Sequence, residues 1–128
     1  MRLIKDALPK QNPIYIDKSI RRIFQAIRIQ VNDELDELRK SLTSIKDVIS
    51  KNGVIVCISY HSLEDKIVKK FMNELTSGCT CDPSIAICVC NNKESFKFPN
   101  KKKYYPNKEE IKTNSRAKSA TLRYVIKL

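Results

Sequence analysis

Three adjacent polar residues, Ser59, Tyr60 and His61, directly follow an apolar run and have side chains that can take part in chemistry. His61 is the single histidine of the chain, and an imidazole can accept or donate a proton near neutral pH. A lone histidine also has a structural use, because its ring can cap the start of a helix. The sequence therefore predicts a candidate catalytic site at these three residues, with helix capping beside Ser62 as the alternative role of His61.

The elements on either side place these residues at the end of a strand. Before them run five apolar residues, Val54 to Ile58, four of which are β-branched, as is typical of a strand buried on both faces of a parallel sheet. After them, Ser62 and Asp65 have the spacing of a capping box, and apolar residues recur at helical spacing as far as Leu75. Ligands of open α/β sheets bind at the carboxyl ends of strands, so we expect a site here.

The rest of the chain predicts an α/β fold. Residues 1–18 form a leading segment, read as a loop or a short helix. From Ser19 to Ile49 apolar residues recur every three or four positions, which predicts two helices with a break between Ser41 and Ser44. Asn52 or Gly53 is expected in the left-handed conformation after the second helix.

The C-terminal third contains two further elements. Residues 106–111 are expected to begin a short helix. Residues 116–128 alternate like a strand, which places Leu122, Tyr124 and Ile126 on one face.

Four cysteines lie close together, at Cys79, Cys81, Cys88 and Cys90. Four thiolates at this density could hold one tetrahedral Zn²⁺. The C-x-C spacing is tighter than that of ordinary zinc knuckles, so reduced thiols in a loop, or disulfides, are the alternatives. Cys57, within the strand, is interpreted as a small buried hydrophobe.

Positive charge is concentrated near the C-terminus. The net charge is +11, and residues 91–128 carry eleven basic side chains against three acidic ones. Aromatic residues alternate there with lysines that include Lys101, Lys102 and Lys103, so the rings could stack on bases while the lysines bind phosphates. The alternative is a connector whose aromatic side chains pack on the edge of the domain. The charge pattern favours RNA or another polyanion as a partner.

Composition excludes several classes of protein. No apolar run approaches the roughly 18 residues of a membrane span, and the N-terminus has no signal-peptide core, so a cytoplasmic protein without a membrane partner is expected. The chain has only two glycines and no G-x-G-x-x-G or P-loop pattern. A glycine-rich cofactor loop is therefore absent from this sequence.

Three segments, in order, resemble one protein family. Residues 58–71, I-S-Y-H-S-L-E-D-K-I-V-K-K-F, are similar to the signature S-F-H-S-L-E-D-R-I-V-K-R-F, and residues 22–29, R-I-F-Q-A-I-R-I, are similar to R-T-F-Q-A-L-R-I. Residues 114–123, N-S-R-A-K-S-A-T-L-R, are similar to N-P-R-A-R-S-A-K-L-R. The family comprises bacterial methyltransferases that modify N4 of a cytosine in small-subunit (16S) ribosomal RNA. The sequence departs from it at residues 18–21, K-S-I-R, where the family has H-P-A-T.

The resemblance implies a fold and a reaction. Residues 19–128 would form the C-terminal part of a Rossmann-like class I methyltransferase domain, with a loop insertion at about 77–108 and an antiparallel last strand. The implied reaction transfers a methyl group from S-adenosylmethionine to N4, with most of the cofactor site outside this chain, because family members are about twice as long or more.

The resemblance also implies partners. Arg22, Arg28, Arg116 and Lys118 would contact RNA, although Arg22 and Arg28 could also be ordinary solvent-facing charges on a helix. The substrate would be small-subunit rRNA or the 30S subunit, and a missing N-terminal half would be needed for activity. The alternative is a small basic RNA-binding protein, stabilised by zinc and without catalysis.

Overall fold

The computed structural model describes residues 2–7, 12–78, 81, 87, 90, 93–100 and 103–128. The chain divides into two compact units, Met1–Glu37 and Leu38–Leu128. Along the described residues the elements are α1 (Arg2–Ala7), α2 (Pro13–Asn32), α3 (Glu34–Val48), β1 (Val54–Ser59), α4 (Ser62–Thr76), β2 (Phe96–Lys97), α5 (Lys108–Thr113), a 3₁₀ helix (Ser115–Ser119) and β3 (Thr121–Lys127). None of these helices is long and apolar enough to cross a membrane.

Helix α2 begins at Pro13, earlier than the apolar periodicity predicts. The side chain of Asn12 accepts a hydrogen bond from the backbone N–H of Ile14 at 2.9 Å, which caps the helix. Pro13 occupies the first turn, where its missing N–H has no intrahelical partner to lose. Capping therefore lets the helix start six residues before the apolar stripe that begins near Ser19. Within the first unit, α1 packs on α2.

The helix break predicted between Ser41 and Ser44 is wrong. The chain breaks instead at Asp33, whose backbone is left-handed with φ 52° and ψ 33°. Helix α3 continues through Thr43 and Ser44, whose hydroxyls donate to the carbonyl oxygens four residues earlier, at 2.9 and 3.0 Å. These weak helix formers are thus accommodated inside the helix.

The turn between α3 and β1 agrees with the prediction at Asn52, which has a φ of 63°. The ammonium of Lys127 donates to the carbonyl oxygens of Ile49 at 2.7 Å and Lys46 at 3.2 Å. A cation at the end of α3 satisfies carbonyl groups that have no partner within the helix. The last strand is thereby tied to the end of α3.

Gly53 is required in this turn by close packing. A Cβ atom at this position would lie 2.8 Å from the carbonyl oxygen of Ser50 and 2.7 Å from Cγ1 of Ile49. We expect Gly53→Ala to lower the free energy of unfolding by about 1–3 kcal/mol, because backbone must move to admit the methyl group. Urea denaturation measures the change, with Lys51→Ala as the exposed control. An unchanged midpoint for Gly53→Ala would contradict the close approach.

The three strands form an antiparallel sheet in the order β1-β3-β2. The antiparallel last strand implied by the family resemblance is therefore confirmed. Helix α4 packs on the sheet face that carries Ile55 and Val125. The buried core residues of this unit are Leu42, Ile55, Val68, Met72, Phe96 and Val125.

On the opposite face of the sheet, the side chains of β1 remain exposed among the described residues, and we call it the open sheet face. On β1, Val54, Val56 and Ile58 are 46%, 56% and 55% exposed. Their partners across the strands are Ile126, Tyr124 and Leu122, which share one face as predicted. The prediction of a strand buried on both faces in a parallel sheet is therefore wrong for the described residues, where β1 pairs with an antiparallel strand and is buried on one face.

The C-terminal segment differs from the prediction in one respect. The short helix is present as α5, capped by the side chain of Asn107, which accepts from the N–H of Glu110 at 2.7 Å. Residues 115–119, however, form a 3₁₀ helix, so the strand begins at Thr121. The side chain of Asn114 starts that 3₁₀ helix by accepting from the N–H of Arg116 at 3.1 Å.

Candidate active site

His61 caps helix α4, which confirms the structural alternative for this residue. Its Nδ1 accepts from the backbone N–H of Glu64 at 3.4 Å. In return, Oε2 of Glu64 accepts from the backbone N–H groups of Tyr60 at 3.0 Å and His61 at 3.4 Å. The capping box is therefore formed by His61 and Glu64, and the predicted pairing of Ser62 with Asp65 is wrong by one residue.

The second nitrogen of His61 also faces Glu64. Nε2 is buried, lies 3.1 Å from Oε1 of Glu64, and has no hydrogen bond of good geometry. While Nδ1 accepts from the backbone N–H of Glu64, its lone pair is occupied by the cap. To accept a proton from a substrate at Nδ1, the ring must first release the start of the helix.

Ser59 lies beneath the surface at the end of β1. Its side chain is buried, and Oγ is 3.4 Å from both Oδ1 of Asp65 and the carbonyl oxygen of Thr121. Tyr60, next in the chain, is 55% exposed. Of the three predicted catalytic residues, Tyr60 alone presents most of its side chain to solvent.

Asp65 and Arg123 form a bidentate ion pair under this turn. Nε and Nη2 of Arg123 donate to Oδ1 and Oδ2 of Asp65 at 2.7 and 2.9 Å. The Arg123 side chain is 6% exposed and that of Asp65 27%. The hydrogen bonds from Arg123 hold the pKa of Asp65 below its ordinary value of 3.8, and the charge of Lys103 acts in the same direction. The pair joins the first turn of α4 to β3.

A cluster of aromatic and basic residues lies beside this end of the sheet. Tyr104 stacks on Tyr124 with ring centroids 5.4 Å apart, and their hydroxyl oxygens are 3.5 Å apart. This contact raises the pKa of Tyr124. Tyr105 is 62% exposed, and the ammonium of Lys103 lies 5.1 Å from its ring centroid. An exposed ring beside a cation is a surface on which a nucleic-acid base can stack.

The geometry thus combines a capped strand–turn–helix with an exposed tyrosine and an adjacent basic aromatic cluster. The sequence model of the MraW methylase family matches residues 1–128. The chain belongs to the MraW methylase family.

Two relatives carry the same name. A protein of Finegoldia magna called ribosomal RNA small subunit methyltransferase H is 42% identical over 98% of this chain, and its namesake in Chloroherpeton thalassium is 44% identical over the same share. The match covers 41% and 39% of those two proteins. The chain therefore spans about two fifths of the length of the curated relatives it matches.

The remaining RNA-binding residues predicted for this MraW family member lie in both units. In the second unit, Arg116 and Lys118 are exposed on the 3₁₀ helix. In the first unit, Arg22 is exposed on α2, whereas Arg28 is held by Glu34 with Nε 2.9 Å from Oε1. Lys101 and Lys102 lie outside the described residues, and Lys103 is the member of that trio that the structure places.

The four aromatic residues between Phe96 and Tyr105 were predicted either to stack on bases or to pack on the edge of the domain, and the structure divides them between packed and exposed positions. Phe96 is 1% exposed in the core, and Phe98 packs against that core. Tyr104 is engaged with Tyr124, so three of the four rings pack on the domain. Tyr105 is the ring that remains available for stacking.

The predicted zinc ligands are only partly described. Cys79 and Cys88 lie outside the described residues, whereas Cys81 and Cys90 are described. In the part of the chain that the structure describes, no three histidine, cysteine or acidic residues are grouped to hold a metal. The zinc site stays a prediction. Burial raises the pKa of the Cys57 thiol, in line with its interpretation as a packed residue.

The motifs alone do not predict the Asp65–Arg123 pair, although the sequence carries a signal for it. Leu122 and Tyr124 were assigned to one face of the last strand, so Arg123 had to point to the other. That face is the one covered by α4, and a buried arginine requires an acidic partner. Asp65 is the acidic residue in the first turn of α4 that meets this requirement.

Proposed function

We propose that this chain is the C-terminal part of an S-adenosylmethionine-dependent methyltransferase that modifies N4 of a cytosine in small-subunit rRNA. The match of residues 1–128 to the MraW methylase family carries the proposal. The relatives named as rRNA small subunit methyltransferases support the choice of substrate. The reaction we propose takes place in the cytoplasm, on the small ribosomal subunit or its RNA.

The chemistry sets the demands on the site. The lone pair of the cytosine N4 amine is delocalised into the ring, so the amine is a weak nucleophile. The enzyme must align it with the methyl group and provide a route for the proton that leaves nitrogen. S-adenosylmethionine, when bound, supplies the electrophilic methyl group.

Of the described residues, Tyr60 is the one best placed to contact the target base. It is exposed at the carboxyl end of β1, where α/β domains bind their ligands. Ser59 and His61 act as positioning residues, because their side chains hold the strand end and the helix start. A phenol can stack on the base or hydrogen-bond to it, which would align N4 with the methyl donor.

RNA outside the target base would meet the cationic surface of the second unit. Lys103, Arg116 and Lys118 are exposed there, and Tyr105 offers a stacking face. The RNA-contacting role predicted for Lys101 and Lys102 extends the same segment. In the first unit, Arg22 and Arg28 would add phosphate contacts.

We expect the chain alone to transfer no methyl group. The chain has two glycines, of which Gly53 serves the α3–β1 turn, and it has no G-x-G-x-x-G pattern. It therefore lacks the close-packed glycine turn with which domains of this class hold the cofactor. The N-terminal part of the Finegoldia magna relative, produced separately, should restore transfer when mixed with this chain. The assay uses tritiated S-adenosylmethionine and small ribosomal subunits, followed by mass spectrometry of nucleosides.

Tyr60→Ala tests the role of Tyr60 in the reconstituted reaction. We expect it to lower the rate by about tenfold or more, because the target base loses its aligning contact. Tyr15→Ala, which removes a tyrosine that is 51% exposed on α2, should leave the rate unchanged. Methyl transfer by the lone chain would contradict the prediction that its site is incomplete. A methyl group found on any atom other than cytosine N4 would contradict the proposed specificity.

A further inference from the structure

A groove between helices α3 and α4 lies apart from the candidate active site. Its main cavity has a volume of about 500 Å³, and a second cavity of about 190 Å³ continues it towards the end of α3. The apolar floor includes Leu42, Ile67 and Phe71. A volume of this size falls within the range of about 300–1,000 Å³ that is typical of ligand sites.

The rim of this α3–α4 groove is basic on both sides. Arg39 and Lys46 line it from α3, and Lys66 and Lys70 line it from α4. Among the described residues that line it, the acidic one is Glu74, which is 59% exposed and lies 3.9 Å from Lys70. Such an exposed pair neutralises little of the local charge.

The position of the groove separates it from the residues proposed to contact the target base. Lys66, Lys70 and Glu74 occupy successive turns of α4, so the groove extends along the helix by about 12 Å. Tyr60 precedes the first turn of that helix. A ligand in the groove therefore binds to the flank of α4, away from the carboxyl end of β1.

We propose that the α3–α4 groove binds a single-stranded segment of RNA other than the one that carries the target base. Phosphates would contact the lysines of the two rims, and a base would lie on the floor against Phe71. Two basic rims on either side of an apolar floor suit a ligand that carries its charge on a backbone and presents flat apolar faces. The choice of RNA rather than another polyanion rests on the proposed function.

The test measures RNA binding and needs no methyl transfer, so it can fail independently of the proposed function. The probe is a fluorescein-labelled uridine decamer, titrated with the full chain at several salt concentrations and followed by anisotropy. The groove variant is Lys46→Gln/Lys66→Gln/Lys70→Gln. The matched control, Lys51→Gln/Lys108→Gln/Lys112→Gln, removes the same charge from exposed positions outside the groove. Circular dichroism checks that both variants fold.

We expect the groove variant to bind about tenfold more weakly than the control at low salt. The slope of log affinity against log salt should be shallower by about 2 for the groove variant than for wild-type protein. The three lysines it removes would each lose one phosphate contact, and each contact contributes about 0.7 for single strands. Crosslinking of 4-thiouridine decamers to wild-type protein should map to peptides from α3 and α4. Equal affinity of the two variants, with crosslinks outside these helices, would overturn the proposal. Tighter binding of polyglutamate of equal charge than of the decamer would also overturn it, since the groove would then favour an acidic protein segment.

Discussion

Asp65→Ala should lower the free energy of unfolding by about 3–5 kcal/mol, one of the largest effects expected from a single substitution in this chain. The reason is the unequal burial of the two partners. Arg123 is 6% exposed, so removal of the carboxylate leaves a buried guanidinium without its counter-charge. Urea denaturation followed by circular dichroism measures the change.

Arg123→Met supplies the reciprocal measurement. Methionine keeps most of the apolar volume, and the Asp65 carboxylate, at 27% exposure, can recover solvent. We therefore expect Arg123→Met to cost less than Asp65→Ala, and the double variant to cost less than the sum of the two. If the two single variants lower the free energy of unfolding equally, and their effects simply add in the double variant, the ion pair contributes little.

The same pair predicts a dependence of stability on pH. The pKa of Asp65 is lower in the folded protein than its ordinary value of 3.8, so the folded state binds this proton less readily than the unfolded state. The stabilising contribution is present above the unfolded pKa and is lost as the pH falls through the folded pKa. The difference in unfolding free energy between wild type and Asp65→Asn should therefore be constant from pH 7 to about 5 and shrink below about 4.

Local patterns predicted the centre of the second unit correctly. The apolar run gave β1, the helical spacing gave α4, and Asn52 took the left-handed position. These features depend on residues that are neighbours in sequence. The capping residue was misplaced by one position because His61 and Ser62 can both accept from a helix N–H, and the buried Ser59 extends β1 so that His61 becomes the cap.

Features that depend on distant residues were not predicted. The apolar run of β1 could not reveal which strand would pair with it, nor that Val54, Val56 and Ile58 would remain exposed on one face. The misplaced helix break has a local cause instead: the hydroxyls of Thr43 and Ser44 are compatible with either a helix end or a helix interior, and here they donate within the helix to carbonyl oxygens four residues earlier.

Val56→Lys should leave this chain folded yet abolish the methyl transfer restored by a supplied N-terminal part. Val56 is 56% exposed at the centre of the open sheet face, so a lysine there can keep its ammonium in water. We expect the free energy of unfolding to change by less than about 1 kcal/mol. In α/β domains both faces of a sheet are covered by other elements, and the relatives are long enough to supply the cover.

The expected loss in the reconstituted reaction follows from desolvation. If the supplied part covers the open sheet face, assembly must bury an unpaired ammonium, which costs several kcal/mol, and transfer should fall by about hundredfold or more. Val48→Lys is the matched control, because Val48 is 80% exposed at the end of α3 and lies outside that face. Full transfer by Val56→Lys would show that the supplied part leaves the open face uncovered. An equal loss with Val48→Lys would show that added charge, rather than its position, prevents assembly.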